Sequence, residues 1–464
     1  MDKMKAANKT EMLKQKDVTY LIHPNTNLRD HETNGPLVIT SAEGSTVYDS
    51  EGHALIDSLS GLWNCMLGHS RKDIVAAITD QMERVAFATT FYGVSNEPTI
   101  EWAESMARHL PGDLKRLFPN ITGSEANDTA LKFTRMYWSL LGKPNKIKVF
   151  SHHRGYHGVA SSVLSATGMP DFWRRFLPLQ PYHLHMPAPH CYRCAYGEKY
   201  PECDLLCAKV LEQMIVAEDP DTVAAFIAEP VAGGGGIIIP KPEYYRLVRD
   251  TCTRLGVLYI DDEIITGFGR TGTWFGIEHW GVVPDMLTMG KGMTAGYMPM
   301  FATAIPERIY RVLVDSGETL FHGFTYTGVP ALSAAALKVI QILESEGIIE
   351  RVNQMGALFT QHLQALLDYR WVGDVRSIGL IGGIEFVADK QTRAPFAPEN
   401  KFGPRFALAL RQHGVLGRVV KGDILVLAPP FVITEAEMDA LFRGIRSAIE
   451  ELVLHSKSDL GGKT

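Results

Sequence analysis

Between about residues 75 and 330 the chain alternates two hydrophobic periods. Apolar residues recur every three or four positions in "IEWAESMARHL" (100–110), "EANDTALKFTRMYW" (125–138) and "YYRLVRDTCTRLG" (244–256), which predicts amphipathic helices, the last closed by Gly256. Between them, the short apolar runs "KIKVFS" (146–151), "TVAAFIAEP" (222–230) and "VLYIDDEI" (257–264) predict strands. Strands separated by helices argue for an α/β fold with a mainly parallel sheet, and such sheets hold ligands at the carboxyl ends of their strands.

The flanks carry a different pattern. Residues 37–60 alternate over short spans broken by Gly and Asp, predicting a meander. A long helix is expected in "ALSAAALKVIQILESEGI" (331–348), followed by strands in "SIGLIGGIEFVAD" and "DILVLAPP" around a helix in "FALALRQHGV", and a last helix over 435–453. The expected division is an N-terminal segment, 1–74, joined with a C-terminal part, 333–464, as a smaller α/β domain beside a large domain, 75–332. The tail "HSKSDLGGKT" reads as mobile.

Composition narrows the function. A chain of 464 residues, 45% hydrophobic and with net charge −6, has the core of a globular protein and no basic block for nucleic acid. No charge-free apolar run reaches the roughly 18 residues of a membrane span. The polar start "MDKMKAANKTEMLKQKD" lacks the apolar centre of a secretory signal, so a cytoplasmic location with reduced cysteines is expected. Cys191, Cys194, Cys203 and Cys207 crowd into "HCYRCAYGEKYPECDLLC" at C-x2-C and C-x3-C spacing. Zinc binding, disulfides and plain reduced thiols all remain open there, and no metal enters the expected mechanism.

Four stretches carry candidate chemistry. In "GSEAND", Gly123 and Ser124 precede a helix whose free N–H groups suit a phosphate, while simple capping by Ser124 is the plainer alternative. Tyr156 and His157 in "GYHG" follow a strand, where an aromatic can stack on a flat heterocycle or simply pack. Asp261, Asp262 and Glu263 end another strand and need cationic partners or solvent. The "GFGRTG" after them matches G-x-G-x-x-G, but acids stand between strand and glycines and no apolar helix follows, which disfavours a dinucleotide site. Lys291 is the only charge in "LTMGKGMTAGYMPM"; a P-loop reading fails at Asp285 and Gly292. A lysine in apolar surroundings can form a Schiff base, and its flanking glycines suggest room for that chemistry. Together, a phosphate cradle, a stacking aromatic, a strand-end Asp and an isolated lysine are the requirements of pyridoxal phosphate.

With "GSEAND", "GYHG", "AEPVAGGGG", "DEIITGFGRTG", "MGKG" and "HGFTYTGVP" in this order, the chain from about residue 30 to 450 resembles the class III pyridoxal-phosphate aminotransferases of fold type I. The resemblance implies that Lys291 holds the cofactor covalently and Asp262 pairs with its pyridine nitrogen. It implies Tyr156 and Ile264 on the two ring faces, and Gly123 and Ser124 at the phosphate with Thr325 of a neighbouring subunit. His157 and Glu229 complete the cofactor surroundings. A homodimer with shared sites follows, with a dimer of dimers left open.

Within the family, Ile265 stands where ornithine-type and 4-aminobutyrate-type members usually carry Gln. Trp63 in "SGLWNCMLGH" and Arg418 in "HGVLGRVVKGD" match the pocket aromatic and carboxylate-binding arginine of the amine, β-alanine and taurine pyruvate aminotransferases. The resemblance therefore implies a ping-pong transfer from a primary amine or ω-amino acid to pyruvate or a similar oxo acid. Val329 and Ala232 depart from common family residues. An aminomutase, decarboxylase or racemase on the same scaffold is the alternative, and a cofactor-dependent regulator lacks a DNA-binding module here.

Overall fold

The computed structural model describes residues 2–460, with side chains described for 8–452. Strands β1 (Ile39–Glu43), β2 (Thr46–Asp49) and β3 (Ala54–Asp57) form the expected antiparallel meander. Seven strands then build the central sheet: β4 (Leu114–Asn120), β5 (Lys148–His152), β6 (His183–Met186), β7 (Val223–Ala228), β8 (Leu258–Asp262), β9 (Met286–Met289) and β10 (Phe301–Pro306). Their spatial order is β4-β10-β9-β8-β7-β5-β6. Strands β5 to β9 run parallel, and β10 lies antiparallel to both neighbours. The fold is therefore α/β with a mainly parallel central sheet.

Every residue of β7, β8 and β9 is buried, as expected for strands covered on both faces. Side chains alternate between two cores. Ala225, Ile227, Leu258 and Ile260 meet Ala130 and Phe133 of the Gly123–Leu140 helix. Phe226 and Tyr259 point the other way, toward Tyr244, Tyr245 and Val248 of the Tyr244–Arg254 helix.

Strands β11 (Val372–Ile378), β12 (Ile381–Phe386), β14 (Arg418–Val420) and β15 (Ile424–Leu427) form an antiparallel sheet, while β13 (Val415–Leu416) pairs parallel with β3. That last pairing joins an N-terminal strand to a C-terminal one. Two elements go beyond the sequence expectation. Asp2–Tyr20 is a helix, and the closing helix runs Glu435–Leu460, through part of the segment read as a loose tail. Residues 461–464 of that tail lie outside the described residues.

Candidate active site

Five strands deliver their carboxyl ends to one place. Beyond β4 come Thr122 to Ser124, beyond β5 Arg154 to Gly158, beyond β7 Glu229, at the end of β8 Asp262, and beyond β9 Gly290 and Lys291.

Asp262 is 3% exposed and accepts three hydrogen bonds. Its Oδ2 accepts from His157 Nδ1–H at 2.8 Å and Asn127 Nδ2–H at 2.7 Å, and its Oδ1 accepts from the Ile264 N–H at 3.2 Å. Asn127 is locked in turn: its Nδ2 also donates to the His157 carbonyl at 2.9 Å, and its Oδ1 accepts from the Thr288 hydroxyl at 2.7 Å. With Nδ1 donating, the buried Nε2 of His157 is an acceptor without a partner among the described residues. The other two acids of the triplet have a different role. Asp261 and Glu263 are fully buried against each other, and burial pushes both carboxyls above the usual carboxylate range.

At the helix end, Thr122 is the N-cap and forms a capping box with Glu125, correcting the simple reading of Ser124 as the cap. The Gly123 and Ser124 N–H groups find no acceptor among the described residues, and the Ser124 hydroxyl accepts from the Val159 N–H at 3.1 Å. Gly158, at φ 128°, lies so close that a Cβ would stand 2.5 Å from Ser124 Oγ. Ile264 closes on this point, its Cδ1 3.0 Å from where a Gly123 Cβ would be.

Lys291 keeps part of its surface open to the site while its amine is enclosed. Burial lowers its pKa to about 8, although the carboxylates of Asp262 and Glu229 pull it upward. The glycines around it serve packing rather than leaving room. A Cβ on Gly290 would lie 1.8 Å from Phe301 Cδ1, and one on Gly292 2.8 Å from Met66 Sδ.

Glu229, 5% exposed, accepts from the Tyr156 N–H at 2.9 Å and the Gly233 N–H at 3.1 Å, so it anchors the loop that carries Tyr156. Burial pushes its carboxyl up to about 7. The Tyr156 ring packs on Phe172, with centroids 5.4 Å apart.

Trp63, at the end of the short Ser60–Trp63 helical turn, and Arg418, at the start of β14, reach the site. The Trp63 ring has Lys291 Nζ at 5.9 Å and Arg418 Cζ at 5.8 Å from its centroid. Arg418 is half-buried, is bonded to no carboxylate among the described residues, and is eased downward in pKa by burial. Ile265, Ala232 and Val329 are all buried. Thr325 is exposed in its own chain.

Asn127, Thr288, Phe172 and Thr167, whose hydroxyl accepts from the His157 N–H at 2.9 Å, escaped the sequence reading. Asn127 alone had a signal, lying one helical turn after Gly123 in "GSEAND". The "GFGRTG" run is a buried turn held by Arg270, which donates to the carbonyls of Pro429 at 2.7 Å and Leu380 at 3.0 Å. All four clustered cysteines are unpaired and line one cavity of about 20 Å³ with His190, Tyr196 and Tyr244.

The orphaned Nε2 of His157, the free helix-end N–H groups, the Asp262 carboxylate and the enclosed Lys291 amine fit a phosphorylated pyridine aldehyde. Comparison with known proteins agrees. A model of the class-III aminotransferase family matches residues 28–449. The putrescine–pyruvate aminotransferase of Pseudomonas aeruginosa is 35% identical over 433 residues, covering 92% of this chain and 93% of that protein. Among solved structures, an (S)-enantioselective omega-transaminase from Thermomicrobium roseum superposes with a TM-score of 0.92 at 40% identity, covering 95% of this chain and 98% of that one. The omega-transaminase of Pseudomonas jessenii in complex with PMP gives a TM-score of 0.92 at 37% identity, with 95% and 98% coverage.

Proposed function

This chain belongs to the class-III aminotransferase family, whose members use pyridoxal phosphate, and from that premise we propose that it is an ω-type transaminase. It moves the amino group of a primary amine or ω-amino acid to pyruvate or a similar oxo acid. The observation that carries this subclass is Arg418: a half-buried guanidinium, bonded to no carboxylate among the described residues, that lies beside the same Trp63 ring as Lys291. Such a group can grip a substrate carboxylate through paired N–H donors, while Trp63 lends an apolar wall to an uncharged amine.

When bound, pyridoxal phosphate supplies an aldehyde that takes up the amino group and a ring that accepts the electrons left by the departing proton. Lys291 would hold it covalently, and Gly123 and Ser124 would bind its phosphate with Thr325 of the partner subunit. Tyr156 and Ile264 would flank the ring. The Asp262 carboxylate, oriented by Asn127, His157 and the Ile264 N–H, would stabilise positive charge on the ring nitrogen. His157 acts through Asp262, and Glu229 through the Tyr156 loop. With a pKa near 8, the Lys291 Nζ is available as a neutral amine at mildly alkaline pH, able to take a proton from the substrate carbon and return it. A homodimer with shared sites and a cytoplasmic location complete the proposal; among the described residues no helix is long and apolar enough to cross a membrane.

The test is a pair of half-reactions on the cofactor-loaded enzyme. A primary amine alone is expected to bleach the absorbance of the aldehyde form, and pyruvate alone to restore it. If no oxo acid restores the spectrum, transfer is wrong and a decarboxylase, racemase or aminomutase reading replaces it.

A further inference from the structure

The sequence draws attention to four cysteines as metal ligands, yet ligand atoms gather elsewhere. Among the described residues, the set of three or more His, Cys, Asp or Glu side chains whose donor atoms all lie within 4.8 Å of one another is Asp17, His23 and His31. Asp17 is in the last turn of the Asp2–Tyr20 helix, His23 in the connection and His31 on the Leu28–Asn34 helix. The three therefore sit at the bend of a helical hairpin.

Hydrogen bonding accounts for His23 and Asp17 but leaves His31 without a partner. His23 Nε2 lies 2.9 Å from Asp17 Oδ1 and 3.1 Å from Oδ2. His31 Nε2 is 3.0 Å from the same Oδ1, yet it is not aligned for a hydrogen bond, and its side chain is only 8% exposed. A buried ring nitrogen close to a carboxylate oxygen without a bond is costly unless something joins the two. The two imidazoles face one another with centroids 4.3 Å apart at 37°. For bonds of about 2.0–2.1 Å in a tetrahedral site, ligand atoms stand about 3.3 Å apart, so a few tenths of an ångström would open these contacts to the required spacing.

We propose that Asp17, His23 and His31 bind one divalent transition-metal ion, with zinc as the best fit. Two imidazole nitrogens and one carboxylate oxygen are a borderline donor set that suits zinc and its neighbours over magnesium or calcium, which prefer all-oxygen sites. Three protein ligands leave the fourth position to water. The ion joins the N-terminal helix to the one after it. The N-terminal helix is already tied to the meander by the Thr10 hydroxyl on Ser50 Oγ at 2.9 Å and by Lys14 near Glu51 at 3.7 Å, so the ion's role is to brace this edge of the smaller sheet. The proposal is independent of the transaminase reading.

Untagged, full-length, cofactor-loaded enzyme is stripped with a chelator, desalted and titrated with Zn²⁺ against a chromogenic indicator, with bound metal counted by mass spectrometry. One equivalent per chain is expected. Asp17→Asn, and separately the more exposed His23→Gln, are expected to weaken binding by at least about tenfold while circular dichroism and transfer activity persist. Cys191→Ser and Cys203→Ser are expected to leave binding unchanged. Zn²⁺ is also expected to raise the melting temperature of the wild type and of neither ligand variant. Absence of stoichiometric uptake, equal uptake by wild type and both ligand variants, or loss of the ion only in the cysteine variants would each overturn the proposal.

Discussion

Replacing Arg418 by alanine removes a guanidinium whose surroundings make its purpose measurable. It is half-buried, lies 5.8 Å from the Trp63 ring centroid and pairs with no carboxylate among the described residues. Truncation therefore strands no internal charge, and the folded state is expected to lose little stability, with a melting temperature within about 2 °C of wild type. Charge-assisted hydrogen bonds from a guanidinium to a carboxylate are worth about 1.5–3 kcal/mol. Because Arg418 keeps some contact with solvent, the lower half of that range applies, about 1.5–2 kcal/mol. At about 1.4 kcal/mol per factor of ten, kcat/KM for pyruvate is expected to fall about 10- to 30-fold. The assay compares pyruvate with a neutral aldehyde of similar size as acceptor, using one plain amine donor at saturation. The aldehyde rate is expected to change by less than about twofold, since it offers no carboxylate to lose. Arg418→Lys should recover part of the pyruvate rate, as a point charge without the planar fork. Equal losses with both acceptors, or a melting temperature several degrees lower, would refute the reasoning and make Arg418 a packing residue.

Three further perturbations test the site's construction. Burial raises the Glu229 carboxyl to about 7, so between pH 4.5 and 7 the unfolded chain releases this proton before the folded one and wild-type stability falls as pH rises; Glu229→Gln removes that cost. Denaturant titration of the cofactor-free protein is expected to favour the variant by about 3 kcal/mol more at pH 8 than at pH 4.5, and a pH-independent difference would contradict the assignment. Gly290→Ala places a methyl group 1.8 Å from Phe301 Cδ1 and is expected to destabilise by about 1–3 kcal/mol, with Phe301→Ala relieving part of the cost in the double variant; strict additivity would argue against the clash. Asn127→Ala takes one of three donors from Asp262 and is expected to weaken cofactor retention about tenfold, read by spectroscopic titration after dialysis, whereas unchanged retention would remove Asn127 from the support of that carboxylate.

Much of the fold was legible because local rules agreed with the global one. Strands β7 and β8 were visible as apolar runs because they are covered on both faces, and the Tyr244–Arg254 helix ended as Gly256 signalled, at φ 62°. Strand β4 was hidden by its own composition: "LKRLFPN" mixes cations with Pro119, which a central strand would exclude but the sheet-edge position of β4 tolerates. Strand β10 had no local sign of its antiparallel course, because direction depends on which neighbours it joins. In the smaller sheets, the β3–β13 pairing brings residues more than 350 positions apart side by side, beyond the reach of any periodicity.

By itself the sequence determined the chemistry on offer. An isolated lysine, a strand-end aspartate, a helix start and a stacking aromatic can be recognised from short spans because each depends on neighbours within a few residues. Tertiary structure alone decided how those groups are tuned and joined. Only the packed sheet gives Asp262 its Asn127 and His157 donors, draws the Lys291 amine toward neutrality and seats Arg418 beside Trp63. It also shows that Gly290 makes way for Phe301, and that donor atoms converge at Asp17, His23 and His31. The physical reason is that burial, hydrogen-bond direction and charge proximity depend on distance through space, and folding makes that distance nearly independent of separation along the chain.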